Sequence, residues 1–366
     1  MYKIDFEKPI HIHFIGIGGI SMSGLAEILL EEGFTVSGSD TKESPLTKKL
    51  ASEGAHIAYG QKAENITSDI ECVVYTAAIN KANPELMEAV AQKIPMLTRA
   101  ELLGQLMKNY DTPIAVSGTH GKTTTTSMIS HILLEGNMDP TISVGGILKA
   151  IGGNIRVGNS ETFITEACEY TNSFLHFFPK ISVILNIEED HLDFFKDLED
   201  IRHSFRQFAE LLPEDGTLVI NGDIKDYQEI CDGLKCNIIT YGSSGDFDYS
   251  SDNITYDEKG HVSFDLIKNG SHTDHIQLSV TGDHNVSNAL SAIAVADLLG
   301  IPMDTTKKGL LSFCGTDRRF EYKGEFNGVT IVDDYAHHPT EIAATLKAAK
   351  HYPHNKVWCV FQPHTY

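Results

Sequence analysis

Residues 117–124, Ser-Gly-Thr-His-Gly-Lys-Thr-Thr, constrain the fold of this chain more than any other segment. The apolar residues 113–116 precede them and predict a short buried strand, and residues 125–135 carry apolar side chains at helical spacing. A glycine loop between a strand and a helix N-terminus directs backbone N–H groups and the positive end of the helix dipole at an anion. The order of strand, loop and helix therefore predicts a phosphate-binding loop in an α/β domain.

Two residues of this loop indicate which phosphate compound it binds. Lys122 adds a positive charge on a flexible stem, and Thr123 places a hydroxyl where the Mg²⁺ of a nucleoside triphosphate would lie. The longer form of the motif has a glycine at the position of Val116, so this loop is a shorter variant. The alternative is an ordinary glycine turn with a solvated lysine. The candidate nucleotide-binding residues are Gly118, Thr119, His120, Gly121, Lys122, Thr123 and Thr124.

Length and charge limit the classes of protein to which this chain can belong. With 366 residues it is expected to form two or three domains, because single cores rarely grow beyond about 250–300 residues. A net charge of −21 argues against nucleic acid or an anionic membrane surface as the main partner. The six cysteines are scattered and form no Cys-x-x-Cys pair, which is typical of reduced thiols. No long apolar segment and no export signal is recognisable, so we expect a cytoplasmic protein.

A glycine-rich turn near the N-terminus predicts a second nucleotide site. Residues 10–15 predict a strand, which is followed by Gly-Ile-Gly-Gly-Ile-Ser-Met-Ser-Gly at 16–24, a helix, a second strand and Asp40. This order begins a nucleotide-binding βαβ unit, in which Asp40 lies about where an acid meets a ribose hydroxyl. Ser21 replaces the third glycine of the dinucleotide motif, so a turn that accepts a diphosphate is favoured over an NAD site. A dehydrogenase, or a glycine turn needed only for close packing, is the alternative.

Acidic residues follow two further strands. Residues 163–169 predict a strand that ends in acids, including Glu166, and residues 188–193, Glu-Glu-Asp-His-Leu-Asp, follow a stronger strand. Ligands gather at the carboxyl edge of an open α/β sheet, and carboxylates are usual Mg²⁺ ligands. Glu166 and His191 are therefore the candidate metal ligands, although imidazole is a less typical ligand of Mg²⁺. The alternative is that the acids cap the N-terminus of the next helix.

Two further segments extend the second domain. Short alternating runs at 237–280 predict an antiparallel meander that covers one side of this domain. Asn285 and Asn288 lie one helical turn apart, so their amides share a face. Such amides could bond the edge of a purine, or they could cap the helix.

The end of the chain predicts the start of a third domain. We expect a strand at 329–334, a helix from Thr340 to about Lys350 and a strand at 356–361. So few elements bury too little surface for a stable core, so this domain is expected to be incomplete. The three domains are expected at residues 1–111, 112–313 and 314–366.

Taken together, several segments of this chain resemble the Mur ligase family. The most specific of these are residues 16–24, 118–124, 186–191, 282–288 and 333–339. The resemblance implies an α/β protein of three domains: an N-terminal Rossmann-like domain, a central P-loop ATPase-like domain with an antiparallel β meander, and a C-terminal Rossmann-like domain. It also implies that the first domain holds a UDP-sugar, the second holds ATP and Mg²⁺, and the third closes over ATP and brings an amino acid.

Residues 16–24 resemble the alanine-adding members of the family most. The resemblance therefore implies an ATP-dependent ligase that joins L-alanine to the lactyl carboxylate of UDP-N-acetylmuramate through an acyl phosphate, in peptidoglycan synthesis. A monomer or weak homodimer is expected. The related ligase that attaches a tripeptide to the same sugar nucleotide is one alternative. An inactive fragment that binds the UDP-sugar and ATP is another, because the family continues beyond the position that matches Tyr366.

The resemblance also implies a role for individual residues. On the substrate side, the residues implied to contact the UDP diphosphate are Gly18, Gly19, Ser21 and Met22, and Asp40 is implied to contact the nucleoside. On the ATP side, Lys122 would hold the β- and γ-phosphates, Thr123 and Glu166 one Mg²⁺, His191 a second Mg²⁺, and Asn285 and Asn288 the adenine. Arg319, Asp334 and His338 would complete the site from the third domain, with His338 near the alanine as a possible base. The implied catalytic residues are thus Lys122, His191 and His338.

Overall fold

The strands of the computed structural model, which describes residues 2–76, 78–243 and 245–362, form three separate sheets. The first sheet contains β1 (His11–Ile15), β2 (Thr35–Asp40), β3 (His56–Tyr59), β4 (Cys72–Tyr75) and β5 (Met96–Thr98). Its helices are α1 (Ile20–Glu31), α2 (Pro45–Ser52), α3 (Pro84–Ala91) and α4 (Arg99–Met107). The strands are all parallel, in the order β3-β2-β1-β4-β5. This order reverses at β1, which places the glycine-rich turn at the crevice where such sheets bind ligands.

The second sheet has ten strands and is built around the strand that precedes the phosphate loop. In chain order its strands are β6 (Thr112–Ser117), β7 (Thr141–Leu148), β8 (Gly153–Arg156), β9 (Thr162–Ala167), β10 (Ile181–Ile184), β11 (Thr217–Asn221), β12 (Asn237–Gly242), β13 (Tyr249–Tyr256), β14 (His261–Lys268) and β15 (Ser271–Thr281). Its helices are α5 (Lys122–Glu135), α6 (Leu198–Ala209), α7 (Gln228–Cys231), α8 (His284–Leu298) and α9 (Met303–Ser312). The spatial order is β15-β14-β13-β12-β11-β10-β6-β9-β7-β8.

The predicted antiparallel meander forms at one edge of the second sheet. Strands β13, β14 and β15 pair antiparallel, and β13 pairs parallel with β12. The meander therefore covers this side of the domain by extending the second sheet beyond β12. A strand edge left open at β12 offers unpaired N–H and C=O groups, and pairing with β13 satisfies them.

The third sheet is a small antiparallel pair, β16 (Glu321–Phe326) and β17 (Val329–Asp333), followed by α10 (Pro339–His351). The strand expected at 356–361 is wrong, since residues 352–362 form no strand and Val360 is 99% exposed. A strand needs a neighbouring edge for its backbone hydrogen bonds, and none lies beside this segment within the described residues. None of the helices that the structure describes is both long enough and apolar enough to cross a bilayer.

One apolar core joins the first two units. A single cluster of buried side chains includes Phe14 of β1 and Phe163 of β9. Helix α4 of the first unit lies so close to the second that a Cβ at Gly104 would be 1.9 Å from the carbonyl oxygen of His176. The glycine turn and the phosphate loop are therefore held in a fixed relation to each other.

Candidate active site

The phosphate loop connects β6 to α5 at the carboxyl edge of the second sheet. Strand β6 lies between β9 and β10, where the strand order reverses, so the loop lies beside the segment after β10. Asn186 of that segment fixes the loop, because its carbonyl accepts the N–H of Thr119 at 3.2 Å and its side chain accepts the N–H of His120 at 2.7 Å. The Asn186 amide in turn donates to the carbonyl of His120 at 3.0 Å.

Two glycines of the loop have conformations that other residues rarely adopt. Gly118 has φ +148° and Gly121 has φ +84°. A Cβ at Gly118 would lie 2.9 Å from Cβ of Leu185, and a Cβ at Gly121 would lie 2.8 Å from Oδ1 of Asn288. Helix α5 begins directly after Gly121, with no side-chain cap and no acid in its first turn. Its first N–H groups are therefore available to an anion.

Lys122 points back over its own loop. Its Nζ donates to the carbonyls of Gly118 (2.6 Å) and Thr119 (3.2 Å) and forms an ion pair with Glu169 at 2.8 Å. Burial alone would lower the pKa of Lys122, but the Glu169 carboxylate outweighs burial and raises the pKa above its ordinary value. The ammonium thus remains charged, at the place where the loop would receive phosphate.

Thr123 and Glu166 are brought together as the sequence predicted. Thr123 Oγ1 donates to Oε2 of Glu166 at 3.0 Å, and the N–H of Gly145 donates to Oε1 at 2.5 Å. Burial raises the pKa of Glu166, while these two hydrogen bonds oppose the rise. A hydroxyl and a carboxylate side by side are oxygen donors of the kind that Mg²⁺ prefers, so the residues present fit this metal.

Within the described residues, His191 forms no hydrogen bond or ion pair with Thr123 or Glu166. Its ring packs against Tyr170 with the centroids 4.5 Å apart, and its backbone N–H donates to Asp190 at 2.7 Å. Among the residues described, Asp190 is the one carboxylate within 4.0 Å of a His191 ring nitrogen. The role of His191 in holding a second metal stays a prediction.

The third unit docks directly on the phosphate loop. Glu341 of α10 accepts from Nδ1 of His120 at 3.2 Å and from Nη1 of Arg319 at 3.3 Å. Thr340 Oγ1 donates to Glu188 at 2.7 Å. Burial would raise the pKa of Glu341, but the hydrogen bond from His120 and the charge of Arg319 lower it below its ordinary value. The loop and the helix are therefore joined through a charged carboxylate.

His338 also lies at this interface, with its ring centroid 4.6 Å from that of His120. Its Nδ1 accepts the N–H of Thr340 at 3.3 Å, so its Nε2 carries the proton and donates to the carbonyl of Glu189 at 3.1 Å. His120, Glu188 and His338 place ligand atoms within 4.8 Å of one another, as a metal site would. Because both ring nitrogens of His338 are bonded, neither a metal nor a proton can be accepted there without rotation of the ring.

A cavity of about 430 Å³ lies between the loop, α8 and the third unit, and this volume suits a small-molecule ligand. Asn285 and Asn288 are both buried beside it, with Asn288 Nδ2 donating to Oδ1 of Asn285 at 3.0 Å. Asp334 lies on its other side and accepts the N–H of Phe320 at 2.8 Å. The predicted nucleotide-binding residues that line this cavity are His120, Gly121, Thr123, Thr124, Asn285, Asn288, Arg319 and Asp334.

The N-terminal glycine turn is shaped by Asp40. The N–H of Gly18 donates to Oδ2 of Asp40 at 2.8 Å, and a Cβ at Gly18 would lie 2.7 Å from that oxygen. The Met22 side chain is buried in the core, so Met22 can offer only its backbone to a ligand. Gly19 precedes α1, which has no side-chain cap and no acid in its first turn. The contact of Asp40 with a nucleoside stays a prediction.

Three charged residues of these sites were not predicted from the sequence. Glu169 and Glu341 hold Lys122, His120 and Arg319, and Arg99 Nη1 donates to Oγ of Ser21 at 3.1 Å. Glu169 is the last residue of the segment 163–169, which was predicted to be a strand ending in acids. Its place beside Glu166 in this segment was the one sequence signal for Glu169. Glu341 is an acid in the first turn of a helix, and Arg99 follows a Thr N-cap. Both placements are common in helices without a functional role, so the sequence did not mark either residue.

Three domains of one protein family match this chain, and known proteins are similar to it over most or all of its length. The Mur ligase family catalytic domain, the Mur ligase middle domain and the Mur ligase glutamate ligase domain match residues 11–111, 116–296 and 318–365. The UDP-N-acetylmuramate–L-alanine ligase of Agathobacter rectalis is 64% identical over 366 residues, which are 100% of this chain and 80% of that protein. The crystal structure of the UDP-N-acetylmuramate–alanine ligase MurC from Thermotoga maritima has a TM-score of 0.79 and 30% identity, and the match covers 93% of this chain and 78% of that one. A murein peptide ligase from Psychrobacter arcticus has a TM-score of 0.77 and 27% identity, covering 93% and 76%.

Proposed function

The chain belongs to the Mur ligase family, and we propose that it joins L-alanine to the lactyl carboxylate of UDP-N-acetylmuramate with conversion of ATP to ADP and phosphate. One observation carries the proposal: the whole chain is closely similar to a UDP-N-acetylmuramate–L-alanine ligase. The cavity beside the phosphate loop supports it, because residues from the second and third units meet there. Residues 1–111, 112–313 and 314–366 are the proposed UDP-sugar, ATP and amino-acid domains.

The reaction must first activate a carboxylate, which is a poor electrophile. An oxygen of the lactyl carboxylate attacks the γ-phosphorus of ATP, the bond to the β-phosphate oxygen breaks, and ADP leaves an acyl phosphate behind. Both reactants are anions, so their approach requires fixed positive groups. Lys122 and the N-terminus of α5 supply these groups at the phosphate loop. Lys122 therefore has to exchange part of its contact with Glu169 for phosphate oxygens.

Mg²⁺ would be held by Thr123 and Glu166, with His191 proposed for a second ion. When bound, the metal would neutralise charge on the phosphates. The protein itself prepares the Glu166 oxygens, since the N–H of Gly145 and the hydroxyl of Thr123 orient them before any ligand arrives. Asn285 and Asn288 are proposed to contact the adenine from the wall of the same cavity.

The second step forms the amide. The alanine amine attacks the acyl carbon, phosphate leaves, and the amine nitrogen loses a proton to a base. His338 is the proposed base, and its unprotonated Nδ1 must first release the backbone N–H of Thr340. Arg319 and Asp334 are proposed to hold the nucleotide from the third unit, with Arg319 exchanging Glu341 for phosphate.

The proposal is tested by supplying ATP and UDP-N-acetylmuramate to the 366-residue chain and measuring ADP release with different nucleophiles. L-alanine is expected to drive ADP release and to yield UDP-N-acetylmuramoyl-L-alanine by mass spectrometry. Faster release with the tripeptide would assign the chain to the peptide-adding ligases instead. Binding of both nucleotides without release with either nucleophile would show that this chain does not catalyse the reaction.

A further inference from the structure

Arg99 is a charged residue to which the proposed reaction assigns no role. It is the first residue of α4, and it donates to Oγ of Ser21 in the first turn of α1 at 3.1 Å. Within the described residues, no carboxylate lies within 4.0 Å of its guanidinium. Other arginines of the chain differ in this respect, since Arg156, Arg202 and Arg206 all form ion pairs.

The surroundings of Arg99 are unfavourable for an isolated cation. Arg99 is half-buried, and burial lowers the pKa of its guanidinium. The residue lies at the N-terminus of α4, where the helix dipole repels a cation. Ser21 places it beside the N-terminus of α1, a second positive dipole end with no acid in its first turn. Glu101 offsets the dipole of α4, but the half-buried Arg99 beside the N-terminus of α1 favours an anion at this position.

Arg99 also lies near the second unit. Burial and Glu169 raise the pKa of the Cys168 thiol, whereas the charges of Lys122 and Arg99 both act against that rise. Cys168 directly precedes Glu169, the carboxylate that holds Lys122. Arg99 is thus hydrogen-bonded to Ser21 of the N-terminal turn, and its charge acts on Cys168 at the end of β9 in the second unit.

We propose that Arg99 binds the diphosphate of the UDP-sugar beside the N-terminus of α1, and that Ser21 positions its guanidinium before the substrate arrives. A guanidinium presents a planar fork of N–H groups that matches two phosphate oxygens. The diphosphate is a better match than the lactyl carboxylate, because the contact with Ser21 fixes Arg99 at the first turn of α1. The inference rests on the proposed function for its substrate, and it is tested by binding alone.

The test measures the affinities of the full chain for UDP, UDP-N-acetylmuramate and ATP by titration calorimetry. Arg99→Ala is expected to weaken UDP and UDP-N-acetylmuramate by the same factor, about tenfold to hundredfold, with ATP affinity unchanged. Arg99→Lys keeps the charge without the fork, so an intermediate loss is expected. Arg206→Ala is the matched control, since Arg206 is an arginine of α6 paired with Glu210, and it should leave all three affinities unchanged.

The other outcomes overturn either the inference, in whole or in part, or the proposed function on which it rests. Wild-type affinity for UDP in both Arg99 variants overturns it entirely, and the unfolding midpoint of Arg99→Lys shows that this result comes from folded protein. A loss for UDP-N-acetylmuramate without a loss for UDP overturns the diphosphate assignment and places the guanidinium on the sugar or its carboxylate. If Arg99→Ala weakens UDP binding but the wild-type chain forms no alanine adduct, the proposed function is contradicted. The role of Arg99 in binding the diphosphate then remains supported.

Discussion

At the scale of single residues, the charge of Lys122 is held by protein groups that a phosphate would have to replace. Its ammonium contacts two loop carbonyls and the Glu169 carboxylate, and Glu169 is 2% exposed. This pairing keeps the ammonium charged and close to the loop. Its pKa is raised, so the stability from the pair is complete below the ordinary value of 10.5 and is lost only as the pH rises beyond it. Titration of Lys122 therefore does not limit activity near neutral pH.

Lys122→Met is expected to reduce ATP-dependent phosphate release by about a hundredfold to a thousandfold, because a positive group at the reacting phosphate is removed. The affinity for UDP-N-acetylmuramate should be kept, since the site proposed for it lies at the first sheet. Stopped assays of phosphate release and calorimetry with the sugar nucleotide measure the two effects. Lys180→Met, which removes a lysine paired with Asp215, is the control. Undiminished release in the Lys122 variant would contradict the role assigned to Lys122.

At the scale of elements, the sequence predicted those features that depend on short stretches of chain. The order of β6, phosphate loop and α5 was predictable, because apolar spacing and two glycines lie within a single short segment. The strands of the meander were predictable, but their attachment to β12 was not, since pairing between distant strands leaves no local pattern. Arg99 and Ser21 illustrate the same limit in the site: they are 78 positions apart, and only the packing of α4 beside α1 brings them into contact.

Gly121→Ala tests the junction between the phosphate loop and α8. The substitution adds backbone strain at φ +84° and a contact of 2.8 Å with Asn288, so the loop has to move. We expect stability to fall by about 1–3 kcal/mol and ATP affinity to fall at least tenfold. Gly33→Ala is a matched control, because Gly33 has φ +79° and open space around it. Denaturant unfolding should show a loss of stability in both variants, because both add backbone strain. ATP calorimetry should show a loss of affinity in Gly121→Ala alone, and equal ATP affinities in the two variants would contradict the structure.

The docking of α10 is expected to depend on pH through Glu341. Its pKa is lowered in the folded protein, so the stabilisation of docking is present above the ordinary value of 4.5 and is lost as the pH falls below it. Glu341→Gln removes a charged acceptor of His120 and Arg319, worth about 1.5–3 kcal/mol. The measurement is the ratio of the hydrogen-exchange rates of α10 amides to those of α8 amides at the same pH. This ratio should rise below pH 4.5 in the wild type, and it should already be high at neutral pH in Glu341→Gln. Glu325→Gln changes an exposed acid of the same unit and should behave as the wild type; a wild-type ratio in Glu341→Gln would show that docking does not depend on this carboxylate.

At the scale of the whole molecule, the three units are joined in two different ways. The first two share an apolar core, whereas the third contacts the phosphate loop through polar and charged groups and exposes Phe326 and Trp358. Apolar cores resist relative motion, while small polar interfaces permit it. This difference suits the proposed reaction, in which the first two units hold the reactants in register and the third has to open for nucleotides and close again.

Gly104→Ala tests whether the fixed relation of the first two units is needed for turnover. In an isolated helix the change would stabilise by up to about 1 kcal/mol, but here the new Cβ would lie 1.9 Å from the backbone oxygen of His176. Backbone cannot rotate away as a side chain can, so α4 has to shift from the second unit at a cost of about 1–3 kcal/mol. Gly24→Ala is the comparison, because its Cβ would meet the side chain of Ile155, which can move.

We expect Gly104→Ala to keep separate binding of UDP and ATP but to lose about a hundredfold in alanine adduct formation, since a displacement of about 1 Å between reactants has such an effect. Gly24→Ala should lose much less. If Gly104→Ala turned over at the wild-type rate, the reacting groups would have to be aligned by the third unit and the ligands themselves.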